Sequence, residues 1–171
     1  MIYPPEMLDI LQSAAVSAWE GTVYRHMFGS LPAALSNTTG ARWNAPPVEA
    51  IYTSCERDTA LAEAEYYIAS QPLRPKARRT LYTIRASLQN VIDLTAPGLL
   101  PRLGITDDVL TGADHSPCQL VGGAVNWLGH DGLLVPSARR VAGTNLVIYQ
   151  QDPATDIFEV IDATVLSLDE R

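Results

Sequence analysis

Four short stretches of the sequence carry the side chains best suited to chemistry. In chain order they are Tyr24-Arg25, Gly40-Ala41-Arg42-Trp43-Asn44, Tyr52 followed eleven residues later by Glu63, and His115-Ser116-Pro117-Cys118-Gln119. Planar guanidinium groups can bind an anion in a fork geometry that lysine cannot reproduce. A carboxylate can stabilise positive charge that develops on a sugar, and a tyrosine ring offers a flat face for stacking. These groups can act together only if the fold brings the four stretches to one place.

The sequence lacks the common machinery for binding cofactors. Its early glycines match neither the dinucleotide-binding spacing nor the P-loop spacing. The three histidines lie far apart, and neither they nor the two cysteines fall at the spacing of a structural zinc site. We therefore expect no metal, and we expect any chemistry to come from side chains and from the reactivity of the substrate itself.

The balance of charge restricts the possible partners. The chain has 12 Lys and Arg residues against 19 Asp and Glu residues, which gives a net charge of −7. This balance argues against a nucleic-acid partner, because contact with a phosphate backbone needs a basic face. If the ligand is a small anion, the few arginines must be gathered locally against the overall negative field.

Cysteine content and hydropathy favour a cytoplasmic protein. Cys55 and Cys118 cannot form a disulfide framework, and Glu6 and Asp9 interrupt the apolar residues that a secretion leader would need. The most apolar stretches, such as residues 146–149, are too short to cross a bilayer. We expect reduced thiols and no association with a membrane.

The first half of the chain predicts two helices and two strands around a long loop. The predicted elements are an N-terminal helix over about residues 5–19, a strand over 22–27, a loop over 29–47, a strand over 50–55 and a helix over 58–70. A loop of this length in a small domain is typically a binding loop or disordered. In the second helix, Glu63 points away from the side that Leu61, Glu65 and Ile68 share.

The second half predicts more strands and one further helix. The predicted elements are strands over residues 80–86 and 91–94, short turns over 99–114, a helix over 118–130, and strands over 133–136, 145–150 and 157–161. Gly122 and Gly123 would permit close packing of the helix. Strands and helices alternate without a regular βαβ rhythm, which favours an α+β fold, and residues 1–171 are expected to form a single domain.

The four stretches, in this order, resemble the RES domain, the toxin half of a bacterial toxin–antitoxin pair. The similarity runs from about Tyr24 to Tyr149, and its most specific part is the Gly-x-Arg-Trp-Asn loop followed by a strand tyrosine and a glutamate. The resemblance implies an ADP-ribosyltransferase-like fold, in which small mixed or antiparallel sheets pack with helices around an NAD-binding cleft. It also implies cleavage of the nicotinamide–ribose bond of NAD⁺, as a toxin that arrests growth. The implied partner is a cognate antitoxin that covers the cleft.

The resemblance also assigns roles to individual residues. Glu63 would stabilise the ribose cation as nicotinamide departs, with Arg25, Tyr52 and Ser116 as further catalytic residues. Arg25, Arg42, Tyr52 and Ser116 would bind the dinucleotide. The serine has an alternative, because Ser137 together with Asn145 forms another pair similar to that of the family.

Two other functions remain open at this stage. A mono-ADP-ribosyltransferase would share the cleft and the first step but transfer ADP-ribose to a protein rather than to water or phosphate. A non-catalytic module that binds a nucleotide or a partner would have scattered arginines and no cleft joining Arg25, Arg42, Tyr52 and Glu63.

Overall fold

The computed structural model describes residues 3–149, 152 and 154–167. Its elements are, in chain order, α1 (Pro5–Ser13), β1 (Val16–Phe28), β2 (Ile51–Ser54), α2 (Arg57–Ser70), β3 (Arg79–Asp93), α3 (Leu99–Arg102), α4 (Asp107–Thr111), α5 (Ser116–Trp127), β4 (Gly132–Pro136), β5 (Thr144–Ile148) and β6 (Ile157–Leu166). This order confirms the predicted α+β class. Gln150, the end of one predicted strand, lies outside the described residues.

The N-terminal helix is shorter than predicted, and β1 is longer. Helix α1 ends at Ser13, because Ala14 already has extended backbone with φ −74° and ψ 157°. Residues 16–19, which the apolar spacing assigned to the helix, pair instead with the end of β3, with Val16 opposite Ile92. The alanine spacing fits a helix, but the ladder along β3 overrides this weak local preference.

Strand β3 is one element of 15 residues where the sequence predicted two strands. The polar segment between the two predicted strands stays in the sheet, with Ser87 opposite Glu20 and Leu88 opposite Trp19. Strand β1 pairs along one side of β3, and β6 and then β4 pair along the other. Strand β6 is also longer than predicted, because it follows β3 as far as Leu166.

The strands form one sheet that closes on itself, rather than the small separate sheets that were expected. The strand order is β1-β2-β5-β4-β3, and β3 pairs again with β1, so that five strands form a ring to which β6 is added. Among the strands that the structure describes, only the pair β3–β4 is parallel. The junction of β1 and β2 has a single register pair, Tyr24 opposite Ser54, whereas β2 and β5 have four. The junction of β1 and β2 therefore has the fewest paired residues in the ring.

Within the described ranges, three buried apolar clusters hold the ring and the helices together, and the smallest packs α2 on the sheet through Ala60, Leu81 and Leu166. Another packs α1 and α5 against the sheet, through Leu11, Val121 and Leu133 among others. The third joins β1, β3 and β5, through residues such as Val23 and Ile84. In the part of the chain that the structure describes, the helices are too short or too polar for any of them to span a bilayer.

Candidate active site

A cleft of about 510 Å³ lies at the sparse junction of β1 and β2, beside α2 and the loop that follows β1. This volume is within the range of small-molecule sites. The cleft is lined by four of the five residues that the sequence singled out, namely Arg25, Arg42, Tyr52 and Glu63. The first three stretches of the sequence therefore meet at one site.

Helix α2 presents one face to the cleft. Ala60, Glu63, Ala64 and Tyr67 line it, and their spacing of three, four and seven residues is that of a single helix face. The two alanines leave space beside the carboxylate. As predicted, Glu65 lies away from this face, and it pairs with the buried Arg79 at 2.7 Å.

The carboxylate of Glu63 is held by two donors that act on the same oxygen. The hydroxyl of Ser137 donates to Oε1 at 2.6 Å, and the side-chain amide of Asn145 donates to Oε1 at 2.9 Å. Among the residues that the structure describes, none is recorded as a hydrogen-bond donor to Oε2. Glu63 therefore has a fixed orientation and one oxygen available for a ligand.

Neighbouring groups fix both of these donors. The hydroxyl of Ser54 donates to Oδ1 of Asn145 at 2.7 Å, so the Nδ2 group of that amide must face Glu63. The Oγ atom of Ser137 accepts two backbone N–H groups at 3.1 Å, from residues 139 and 140, which leaves its own proton for Glu63. Ser54 and Asn145 lie opposite each other on β2 and β5, so the sheet register builds this network.

Tyr52 organises the loop that contains the Gly40–Asn44 motif. Its hydroxyl accepts the backbone N–H of Trp43 at 2.8 Å and donates to Oδ1 of Asn44 at 2.8 Å. Burial raises the pKa of Tyr52 well above its ordinary value, so the hydroxyl stays protonated as a donor. The hydroxyl is committed to the loop, while the residue also lines the cleft.

Close packing on α5 fixes the same loop from the other side. The side chain of Trp43 is buried, and its carbonyl oxygen accepts the Tyr149 hydroxyl at 2.8 Å. A Cβ atom added at Gly122 would lie 1.9 Å from this carbonyl oxygen. The absence of a side chain at Gly122 therefore allows the loop around Trp43 to pack directly against α5.

The guanidinium of Arg25 is largely committed to the loop. It donates to the backbone carbonyl of Ala33, and at 2.7 Å to that of Leu35. Burial lowers the pKa of Arg25 to about 10. Arg25 thus fixes the wall of the cleft, and two of its nitrogens already serve protein carbonyls.

Arg42 is more available to a ligand. Its Nη1 donates to the carbonyl of Gly112 at 3.1 Å, and the side chain also interacts with the Cys118 thiol. Burial lowers the pKa of Arg42, the nearby charge of Arg139 lowers it further, and Glu63 acts in the opposite direction. The guanidinium therefore lies close to both another cation and the carboxylate.

Ser116 does not reach the cleft. It is exposed at the start of α5, where its backbone N–H and its hydroxyl both donate to Oδ1 of Asp114. The serine that contacts Glu63 is Ser137, which the sequence analysis gave as the alternative to Ser116. Asn145, the other member of that alternative pair, also contacts Glu63. The Pro117 that follows Ser116 favours this capping turn over a reach towards the site.

His26 is a lining residue that the sequence did not single out as functional. Its Nε2 accepts a hydrogen bond from Nε of Arg79 at 3.0 Å, and its ring meets Phe28 edge to face at 4.9 Å between centroids. Burial, and then the charge of Arg79, lower the pKa of His26 to about 4. The imidazole is neutral at physiological pH, and its position next to Arg25 was the only signal in the sequence.

The chain is similar to several known proteins. The RES domain family model matches residues 20–169. The NAD(+) phosphorylase MbcT of Mycobacterium bovis and that of Mycobacterium tuberculosis are each 34% identical to the chain over 146 residues, or 78% of this chain and 75% of the relative. The crystal structure of the M. tuberculosis MbcT–MbcA toxin–antitoxin complex is similar with a TM-score of 0.81 and 26% identity, over 96% of this chain and 93% of that chain.

Proposed function

Because this chain belongs to the RES domain family, we propose that it is the toxin of a toxin–antitoxin pair and that it cleaves the nicotinamide–ribose bond of NAD⁺. The observation that carries the proposal is the carboxylate of Glu63, which two donors hold by one oxygen at the cleft. The relatives that are 34% identical to the chain are NAD(+) phosphorylases, which supports the same reaction.

The chemistry of NAD⁺ suits a site of this kind. Nicotinamide leaves as a neutral base with the electron pair of the C1″–N bond, so the reaction requires no general acid. Positive charge develops on the ribose as that bond stretches, and a fixed carboxylate stabilises this oxocarbenium-like state. We assign this role to Oε2 of Glu63. Ser137 and Asn145 act as positioning residues, and Ser137 takes the place that the resemblance gave to Ser116.

The remaining residues bind and orient the dinucleotide. Arg42 supplies donors for the pyrophosphate, while Arg25 shapes the wall of the cleft through its bonds to loop carbonyls. The ring of Tyr52 offers a face for the nicotinamide while its hydroxyl fixes the loop. We further propose that the fold is ADP-ribosyltransferase-like, that residues 1–171 form one domain, and that the protein acts in the cytoplasm on the NAD⁺ pool there.

Phosphate is the acceptor that the relatives favour. An oxygen of inorganic phosphate would form a bond to C1″ as the bond to nicotinamide breaks, giving ADP-ribose 1″-phosphate, nicotinamide and a proton from the phosphate. The relative in the solved complex is paired with an antitoxin. We propose that a cognate antitoxin likewise binds this chain and covers the cleft.

The purified chain, incubated with NAD⁺ in the presence and absence of phosphate, tests the proposed function. We expect nicotinamide release that depends on phosphate, with ADP-ribose 1″-phosphate as the product by ³¹P NMR and mass spectrometry. Free ADP-ribose would indicate hydrolysis, and ADP-ribose attached to a protein after addition of a lysate would indicate transfer. Intact NAD⁺ under all of these conditions, with a folded chain, would refute cleavage altogether.

A further inference from the structure

A second arginine, Arg139, lies beside Arg42, and its chain neighbour Ala138 lines the cleft. Nη1 of Arg42 donates to the carbonyl of Gly112 at 3.1 Å, and Nη1 of Arg139 donates to the adjacent carbonyl of Thr111 at 3.0 Å. Two consecutive carbonyls at the end of α4 therefore hold two guanidinium groups next to each other. From the sequence alone, Arg139 was not among the candidate site residues.

The guanidinium of Arg139 is fixed in place before any ligand binds. It stacks on the ring of Tyr66, 3.3 Å from the ring centroid, and Tyr66 lies on α2 three residues after Glu63. Arg139 is also only two residues from Ser137, which donates to Glu63. A stacked guanidinium keeps its remaining N–H groups in a rigid fork, so little conformational entropy is lost when it binds an anion.

The two arginines are not neutralised by the protein. In the described part of the chain, the ion pairs within 4.0 Å are formed by Arg74, Arg79 and Arg85, and neither Arg42 nor Arg139 takes part in one. His115 lies close to both arginines, because burial and then the charges of Arg42 and Arg139 lower its pKa, while Asp114 acts in the opposite direction. Positive potential is thus concentrated here in a chain whose net charge is −7.

We propose that Arg42 and Arg139 together form a phosphate-binding site next to the Glu63 carboxylate, with Arg139 as a further substrate-binding residue. Each guanidinium has five N–H groups and gives one to a carbonyl oxygen, and Arg42 also interacts with the Cys118 thiol. Donors therefore remain on both for the oxygens of one anion. Two sources could supply that anion, the pyrophosphate of NAD⁺ or the acceptor phosphate. The identity of the biological ligand rests on the proposed cleavage of NAD⁺. The affinity of the site for phosphate does not depend on that reaction.

Steady-state kinetics of Arg139→Gln distinguish the two sources. Loss of charge-assisted hydrogen bonds weakens binding by roughly 10- to 100-fold. A KM for phosphate raised at least about tenfold, with the KM for NAD⁺ unchanged, assigns the site to the acceptor, and the reverse result assigns it to the pyrophosphate. Arg102→Gln, which removes one exposed positive charge on α3, is the matched control and should leave both constants unchanged. Both constants within about twofold of the wild type in Arg139→Gln would overturn the proposal.

A binding measurement separates this proposal from the proposed function. Inorganic phosphate and pyrophosphate should raise the Tm of the wild-type chain, because a ligand that binds only the folded state stabilises it. Arg139→Gln, and independently Tyr66→Leu, should reduce that shift, whereas Arg102→Gln should retain it. If NAD⁺ is not cleaved but the shift is present and depends on Arg139, cleavage is refuted and the phosphate site stands. If neither anion shifts the Tm of the wild type, the phosphate site is refuted.

Discussion

The substitution Glu63→Gln removes one charge from the cleft and changes little else. Ser137 and Asn145 both donate to Oε1, and the glutamine carbonyl oxygen can accept both bonds in the same place. The new Nε2 group then takes the position of Oε2, to which no described residue donates a hydrogen bond. The variant should therefore fold with its side chain in the native orientation.

These contacts set the expected losses in stability and in kcat. Two charge-assisted hydrogen bonds become neutral ones, each weaker by roughly 0.5–1 kcal/mol, so we expect the free energy of unfolding to fall by about 1–2 kcal/mol and the Tm by about 2–8 °C. Loss of one preorganised electrostatic stabiliser costs roughly 10²- to 10³-fold in kcat, or about 3–4 kcal/mol in the barrier. Since the neutral glutamine still occupies the same space, the KM for NAD⁺ should change by less than about threefold.

Nicotinamide release at saturating NAD⁺ and phosphate measures kcat, and thermal unfolding measures stability. Glu65→Gln is the control, because it makes the same chemical change on the same helix at a residue that pairs with Arg79. It should lower the Tm but keep kcat within about threefold, because the lost ion pair is structural. A kcat for Glu63→Gln within tenfold of the wild type, or an equal loss in Glu65→Gln, would show that the carboxylate does not stabilise the transition state.

Three further predictions follow from the same structure. Ser137→Ala should lower kcat roughly 10-fold or more, because the Glu63 carboxylate loses the hydrogen bond that holds it. Ser116→Ala should leave NAD⁺ turnover within about twofold of the wild type. A large loss in Ser116→Ala with none in Ser137→Ala would restore Ser116 as the functional serine. Gly122→Ala should lower the free energy of unfolding by about 1–3 kcal/mol or more, because its Cβ would meet the backbone of Trp43. Gly123→Ala should lower it less, because its Cβ would meet the side chain of Tyr3, with the hydroxyl at 2.7 Å. Equal denaturant midpoints for the two variants would contradict this prediction. The unfolded chain protonates His26 near pH 6.5 and the folded chain only near pH 4, so stability should be full above pH 6.5 and fall by up to about 3 kcal/mol towards pH 4. Urea unfolding across this range should show a smaller pH dependence in His26→Gln, and an unchanged dependence would refute the assignment.

The parts of the site that depend on local order could be predicted from the sequence. Arg42, Tyr52 and Glu63 lie within 22 residues of each other, in a loop, a strand and a helix that the residue pattern identified. Their meeting in one cleft needs only that these consecutive elements pack together. Neighbouring elements in sequence are usually neighbours in space.

The parts that depend on long-range pairing could not be predicted. The contact of Asn145 with Glu63 requires β5 to lie beside β2, with Ser54 opposite Asn145. Register between strands that are 90 residues apart is set by the whole sheet, and no local pattern records it. The same reasoning explains the missed start of β1, whose helical spacing was overridden by pairing with β3.

The residue types likewise indicated that the site binds an anion, but they did not show which partner each side chain has in the folded protein. Arg25 was expected to bind an anion, and in the structure its donors serve the carbonyls of Ala33 and Leu35. An arginine beside a polar loop can satisfy buried carbonyls as readily as it binds a phosphate. Only the path of the loop decides between the two uses, and this path depends on Trp43 packing against α5.

In the proposed mechanism, the separation of Arg42 from Glu63 allows one cleft to stabilise two opposite charges. A direct ion pair would occupy the free carboxylate oxygen and neutralise the guanidinium, which would remove both from catalysis. The described part of the chain contains no such pair, although the two charges attract each other. The tethers explain this, because Gly112 holds Arg42 on one side while Ser137 and Asn145 hold Glu63 on the other. A dinucleotide that spans the gap can then present its phosphates to the arginine and its ribose cation to the glutamate.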